Sequence, residues 1–373
     1  MPMVRAAVME KPLSKLVIRD LEKPRLEPGA VWLETIYSEV CGTDVHLFHG
    51  RLAGVPYPII PGHINVGRIA EMNGEVRDVD GNILEAGDTV VFLDVHETCH
   101  NCWYCLVAKA STRCPSRKVY GITYGLNDGI LGGWSEGIYL KPKVKIMKLP
   151  PAIRPEVFIG GGCGLPTAYH AIEQAGIKLG DTVVVQGSGP VGLNCAILAQ
   201  LVGALQVIVV GGPAERLKLA SEFGADQIVN IDTTSPADRI AAIKDLTSGR
   251  GADVVIEATG VAAAVKEGMA MARDAGTYVV VGQYTDAGEI PVNPHLDINK
   301  KHLSIKGTWG IDLSHFYRSV RVMEKYHRRF AWEKMISRHY GLDEINEAIA
   351  DVEQHRVIKA VIEPHRCGRI LPA

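Results

Sequence analysis

Three groups of residues in this chain have the types and spacing that chemistry requires. Cys99, Cys102, Cys105 and Cys114 put four potential thiolates into one short stretch. That spacing suits a tetrahedral zinc ion, and an all-sulfur shell leaves no open position. Such a site holds a loop together and does no chemistry. Cys41 and His63, in the segments CGTDVH and PGH, and Cys163, in GGGCGLPTAYH, offer two more thiolates and an imidazole. Together they would form a neutral three-ligand zinc site with a fourth place for water or a substrate oxygen, the composition of a catalytic zinc. Zinc held in this way lowers the pKa of an attached hydroxyl, so an alcohol can ionise near neutral pH. Spacing alone leaves this second set open, because a lone Cys or His is more often a packed residue than a ligand.

The third group is Gly187-Ser188-Gly189-Pro190-Val191-Gly192, which follows the run Val183 to Val185 and leads into an Ala/Leu-rich segment. Between a strand and a helix each glycine has a task. Gly187 permits the tight turn, Gly189 lets a diphosphate approach the backbone, and Gly192 lets helix and strand pack closely. The free N–H groups and the positive end of the helix dipole then face phosphate. The next strand should end on an acid that takes the adenosine ribose hydroxyls, but it ends Val209-Val210-Gly211-Gly212-Pro213-Ala214-Glu215-Arg216. Arg216 would attract a 2′-phosphate and Glu215 would repel one. Gly212 to Ala214 offer nothing to bind it, so the balance favours NAD over NADP by a small margin.

These groups need elements to position them. The chain has 373 residues, 47% of them apolar, enough for two domains with real cores. Residues 1 to about 150 read as short β-branched runs broken by EPGA, YPIIPG and EAGD, the texture of a β-rich region. From about 165 to 307 strands and helices alternate, which implies a mostly parallel sheet covered on both faces. A net charge of -2 gives no case for nucleic acid or an anionic membrane surface. No apolar run approaches the roughly 18 residues of a membrane span. The N-terminus lacks a secretory pattern, so the cytoplasm is the expected compartment, where clustered cysteines suggest metal rather than disulfides.

In order and in kind, CGTD-x-H, PGH, the four-cysteine stretch, the Cys163 segment and GSGPVG resemble the zinc-dependent medium-chain alcohol dehydrogenases, over essentially the whole chain. The resemblance implies an α/β protein with a GroES-like β-rich catalytic domain (1–164 and 308–373, its zinc lobe near 95–118) and a Rossmann doubly wound parallel-sheet domain (165–307). It implies two zinc ions per chain, one on Cys41, His63 and Cys163 and one on the four-cysteine lobe, with Asp44 orienting the His63 ring. Thr43 would take the substrate hydroxyl proton and pass it through the nicotinamide ribose to His46 and water. Thr167, Val191, Pro190 and Val281 would face the cofactor beside Gly187, Gly189, Gly192, Gly211 and Arg216, and Lys359 would reach the diphosphate. Leu52, Val95, Trp134 and Trp309 would line an apolar substrate pocket.

Two features depart from the family pattern. The family usually has Glu after the zinc-binding His, where this chain has Ile64, an apolar residue that cannot serve as an alternative ligand. The gap from Cys105 to Cys114 is one residue longer than usual. The implied reaction is reversible oxidation of an uncharged primary or secondary alcohol by hydride transfer to NAD(P). A zinc-independent quinone or enoyl reductase is disfavoured by the complete Cys41/His63/Cys163 set. A non-catalytic zinc-lobe interaction protein is disfavoured by the neutral charge. The expected partner is a small molecule, with no nucleic acid and no membrane. A homodimer or homotetramer is expected, with strand TYVVVGQY (277–284) pairing across a two-fold axis. Cys195 is expected to pack in a helix and Cys367 to be a thiol of the tail.

Overall fold

The computed structural model describes residues 2–366, so Cys367 lies outside the described residues. The chain forms two compact units. One runs through Gly162 and resumes at Asp312–His327 and from Trp332 on; the other is Cys163–Ile311 with Arg328–Ala331. Cys163 falls to the second unit because it is the N-cap of that unit's first helix.

In the first unit, β1 (Met3–Val8) and β2 (Val17–Glu22) form an antiparallel pair. The long β3 (Val31–Val40), rich in β-branched and aromatic residues, is the spine of the main sheet and runs into α1 (Gly42–Phe48). β4 (Asn65–Met72) pairs with β3, and β5 (Thr89–Phe92) with β4, both antiparallel. β6 (Val95–Glu97) pairs with β7 (Lys118–Val119), closing the loop that carries the four cysteines and the short helix α2 (Trp103–Leu106). β8 (Gly137–Leu140) pairs with the first half of β3, and β9 (Ile146–Lys148) with β5; α3 (Pro155–Gly161) ends the segment. Leu33, Phe92, Tyr120 and Ile138 pack at the centre of the core, with the Phe92 and Tyr120 rings edge to face at 5.3 Å.

The second unit begins with α4 (Gly164–Ala175) and β10 (Thr182–Gln186), followed by α5 (Pro190–Leu201), β11 (Gln206–Gly211), α6 (Ala214–Glu222) and β12 (Gln227–Asn230). Then come α7 (Pro236–Leu246), β13 (Ala252–Glu257), α8 (Ala262–Met271), β14 (Ala272–Val280) and β15 (Ser304–Gly307). The six strands are all parallel, in the order β12-β11-β10-β13-β14-β15. Val183, Val184 and Val185 are wholly buried, as expected of a strand covered on both faces. From β10 the chain winds first to one side and then to the other, so the crevice beyond its carboxyl end is a switch point where α/β sheets bind ligands.

Strand TYVVVGQY is not at the sheet edge. Its first half, 277–280, ends β14 between β13 and β15, so the backbone groups there are already used within the sheet, and the rest runs on past the strand. The edge is the four-residue β15, SIKG, which is too short and polar to be recognised as a strand by pattern.

The chain then returns to the first unit through α9 (Leu313–Tyr326), β16 (Ile336–Tyr340), α10 (Ile345–Glu353) and β17 (Lys359–Ile362). β17 pairs antiparallel with the end of β3, Ala360 opposite Val40. Asp312 caps α9, accepting the Ser314 N–H at 2.9 Å, and its other oxygen accepts the hydroxyl of Ser111 from the cysteine loop at 3.2 Å. Burial acts to raise the Asp312 carboxyl, but the hydrogen bond and charge of His315 outweigh it and hold the pKa well below the usual carboxylate range. A lowered carboxylate pKa contributes stability above the unfolded value near ~4 and loses it as pH falls through the folded value. Asp312→Ala should therefore lower stability by about 1 kcal/mol at pH 7. In thermal melts across pH, the gap from wild type should close below pH ~4; a gap that is constant down to acid pH would show that the charge has no part in it.

Candidate active site

Asp44 organises the first group of donors. Cys41 is the N-cap of α1, and its backbone N–H donates to Asp44 Oδ2 at 2.9 Å. The other oxygen, Oδ1, faces His63 Nδ1 at 3.6 Å, and Asp44 is completely buried. On the far side of the ring, His63 Nε2 lies 3.6 Å from Cys41 Sγ. The His63 loop depends on Gly62, at φ +92°, where a Cβ would lie 2.6 Å from Trp134 Cδ1 and 2.7 Å from Ser38 Oγ. Cys163 follows Gly162 by one peptide bond, and the ligand atoms of Cys41, His63 and Cys163 all lie within 4.8 Å of one another.

These residues fit a zinc ion. Two thiolates and an imidazole are zinc donors, and the second ring nitrogen faces a buried carboxylate, the arrangement that fixes the orientation of a metal-ligating histidine. Burial acts to lower the His63 pKa, yet Cys41 and Asp44 outweigh it and raise it well above the ordinary value. The pocket electrostatically favours a cation. Cys99, Cys102, Cys105 and Cys114 likewise bring their sulfurs within 4.8 Å of one another, with Cys99 to Cys114 and Cys102 to Cys105 each at 3.6 Å. The Asn101 backbone N–H helps bring the Cys99 thiol down to about 7. An all-sulfur set of this kind fits a closed tetrahedral ion.

Thr43 and His46 lie one turn apart on α1 and therefore share a face. Burial, and then the charges of Arg51 and His49, lower the His46 pKa, so its ring is neutral at pH 7.

The glycine turn follows β10. Gly187 has φ +114°, and a Cβ on it would meet the Ala258 carbonyl oxygen at 2.6 Å. A Cβ on Gly192 would lie 2.0 Å from the Gly187 carbonyl oxygen, whereas Gly189, the N-cap of α5, faces open space. Pro190 is the first residue of that helix, and Val191 is half-buried in its first turn. Thr167 is in the first turn of α4, its N–H donating to the Cys163 carbonyl at 3.3 Å. Val281, just past β14, is buried, its N–H donating to the Glu257 carbonyl at 3.0 Å.

Three side chains here, Ser188, Asp232 and Glu257, had no task assigned from the sequence. Ser188 Oγ accepts the Gly212 N–H and donates to the Gly212 carbonyl, and it fills the space over Gly211, where a Cβ would be 2.5 Å away. No acid can end β11 unless Ser188 moves. Asp232, just beyond β12, has Oδ2 3.0 Å from where a Gly212 Cβ would stand. Arg216 is half-buried in α6, with its pKa lowered by that burial. Glu257, at the end of β13, accepts the N–H groups of Thr259, Gly260 and Gly282 and shapes the neighbouring loops.

Two residues are not where the sequence led us to expect them. Trp134 is wholly enclosed, its indole N–H donating to the Glu39 carbonyl at 3.1 Å, so it packs behind the His63 loop and lines no pocket. Lys359 is also enclosed, with Nζ 2.5 Å from Glu39 Oε1, which commits its ammonium to that carboxylate rather than to a diphosphate. Leu52 is half-buried and Val95 buried in the first unit. Trp309, in the second, stacks on Tyr284 at 5.5 Å.

A family model for the alcohol dehydrogenase GroES-like domain matches residues 27–151, and one for zinc-binding dehydrogenases matches 190–325. A 5-exo-hydroxycamphor dehydrogenase of Pseudomonas putida is 30% identical over 367 residues, covering 97% of this chain and 99% of its own. The chain belongs to the zinc-type medium-chain alcohol dehydrogenases. It is an oxidoreductase that oxidises alcohols with NAD(P). The solved structure of an alcohol dehydrogenase from Thermotoga maritima is 37% identical with a TM-score of 0.92, covering 98% of this chain and all (100%) of its own. Another, described as a zinc-binding dehydrogenase from Sinorhizobium meliloti bound to NADP, is 27% identical with a TM-score of 0.84, covering 98% of this chain and 100% of its own.

The glycine geometry separates folding from cofactor binding in this dehydrogenase. Gly192→Ala should cost about 1–3 kcal/mol through overpacking against the Gly187 carbonyl. Gly189→Ala should leave the melting temperature near wild type but weaken binding of the reduced dinucleotide, followed by its fluorescence. Equal loss of stability in both variants would contradict this division.

Proposed function

We propose that this dehydrogenase reversibly oxidises an uncharged, small-to-medium primary or secondary alcohol, with NAD as its preferred cofactor and two zinc ions per chain. The observation that carries this reading is the meeting of Cys41, His63 and Cys163 within 4.8 Å, with Asp44 holding the Cys41 backbone and facing the His63 ring. Cys41, His63 and Cys163 would hold one zinc, and Cys99, Cys102, Cys105 and Cys114 the other. When bound, the first would supply a Lewis acid for the substrate oxygen and the dinucleotide a hydride acceptor. Asp44 keeps the His63 ring in one orientation. Thr43 accepts the proton of the substrate hydroxyl at its own oxygen, and the neutral His46 ring is the base that carries that proton towards water. In the first unit the half-buried Leu52 and the buried Val95 are the apolar residues expected, by resemblance to the family, to face the substrate, which suits an uncharged alcohol.

The preference for NAD rests on Asp232 beside Gly212, a carboxylate that would repel a 2′-phosphate and accept ribose hydroxyls, acting against the pull of Arg216. We assign the protein to the cytoplasm, whose reducing conditions keep its cysteines as thiols. A homo-oligomer is the assembly we favour, formed through the outer edge of β15, which no other strand pairs with among the described residues.

Metal analysis tests the mechanism. Wild type should hold about two zinc per chain, and Cys163→Ala about one, with turnover abolished; one zinc in wild type and unchanged turnover in the variant would overturn it. For the cofactor, Asp232→Ala should lower the NAD-to-NADP ratio of kcat/KM about tenfold, the effect of losing roughly one charged contact. An unchanged ratio would place the discrimination elsewhere.

A further inference from the structure

We propose that the buried Glu39–Lys359 pair is a positioning unit for the three donors Cys41, His63 and Cys163, a role that rests on the zinc reading above. Glu39 touches the chain beside each donor. It lies two residues before Cys41 at the end of β3. Its backbone N–H donates to the carbonyl of Ile64, the residue after His63, at 3.1 Å. Its side chain packs on Gly162, the residue before Cys163, where a Cβ would lie 2.0 Å from Glu39 Oε2 and 2.3 Å from Lys359 Nζ. Gly162 is at φ +49°, so the chain passes over the ion pair in a conformation that favours glycine.

Lys359 locks the arrangement. It comes from β17, whose pairing with β3 sets Ala360 opposite Val40, and its ammonium sits 2.5 Å from Glu39 Oε1 with almost no exposure. The Glu39 carbonyl is fixed in turn by the Trp134 indole N–H at 3.1 Å, and Trp134 packs under Gly62, the residue before His63. A buried ion pair is often no more stabilising than apolar side chains of the same volume. Its contacts point to a different task, which is to hold three separate backbone segments at a fixed spacing so that their donors meet. Lys359 thus serves the metal side of the molecule instead of the dinucleotide.

The test uses the full-length, zinc-loaded protein and two variants, Glu39→Gln and the volume-conserving double variant Glu39→Leu/Lys359→Met. Zinc release to a chromogenic chelator, the visible spectrum of cobalt-substituted protein and the affinity for reduced dinucleotide are compared. Loss of a residue supporting metal ligands typically weakens metal binding 10–100-fold. We expect one of the two zinc ions to leave both variants at least about tenfold faster, with altered cobalt bands. The lobe zinc should be retained, and the double variant should keep the wild-type melting temperature and dinucleotide affinity. Wild-type release rates and cobalt bands in the double variant would overturn the inference, as would lost dinucleotide affinity with the metal retained. A wild type that holds only one zinc would instead overturn the zinc reading on which it rests.

Discussion

Asp44 has to serve two donors that lie 22 residues apart in the chain. One oxygen holds the N–H of Cys41 at the start of α1, and the other faces the ring of His63. A buried carboxylate is tolerated only when its oxygens meet donors or positive charge. Asp44 therefore ties the end of β3 to the His63 loop, and much of the first unit exists to keep that relation fixed. The long β3 carries Cys41, the Gly62 turn admits Trp134, and β17 returns from the far end of the sequence to close the sheet beside it.

The second unit is governed by a steric constraint. Gly187 and Gly192 have no room for a side chain, and Gly189 has room that is unused. Close packing at two positions thus leaves one exposed stretch of backbone at the head of α5, where free N–H groups and the helix dipole favour an anion. The same logic empties the end of β11. Ser188 covers Gly211, so the carboxylate beside this turn comes from the neighbouring loop, where Asp232 Oδ2 stands 3.0 Å from the place of a Gly212 Cβ.

Class and family were legible in the sequence because glycines and clustered cysteines have few other uses. The alternation of strands and helices from β10 to β14 was equally plain, since parallel strands buried on both faces are continuous Val/Ile runs. Side chains whose roles depend on partners far away were hidden. Glu39 and Lys359 are separated by 320 positions, and nothing local marks either as buried. Trp134 was expected to be a pocket wall by resemblance to the family, whereas its burial depends on Gly62 and the Glu39 carbonyl. β15 escaped notice because four polar-flanked residues carry no periodicity. The donor types of the metal sites could be read from the segments CGTD, PGH and GGGC, but their convergence is a property of the folded chain alone.

The central claim is that one chain holds two zinc environments of different composition, one closed by sulfur alone and one mixed and open. X-ray absorption at the zinc edge of the purified protein tests this most directly. The account predicts an average of about three sulfurs per zinc at ~2.3 Å, together with a nitrogen or oxygen shell at ~2.0–2.1 Å. A spectrum fitted by sulfur alone would contradict it.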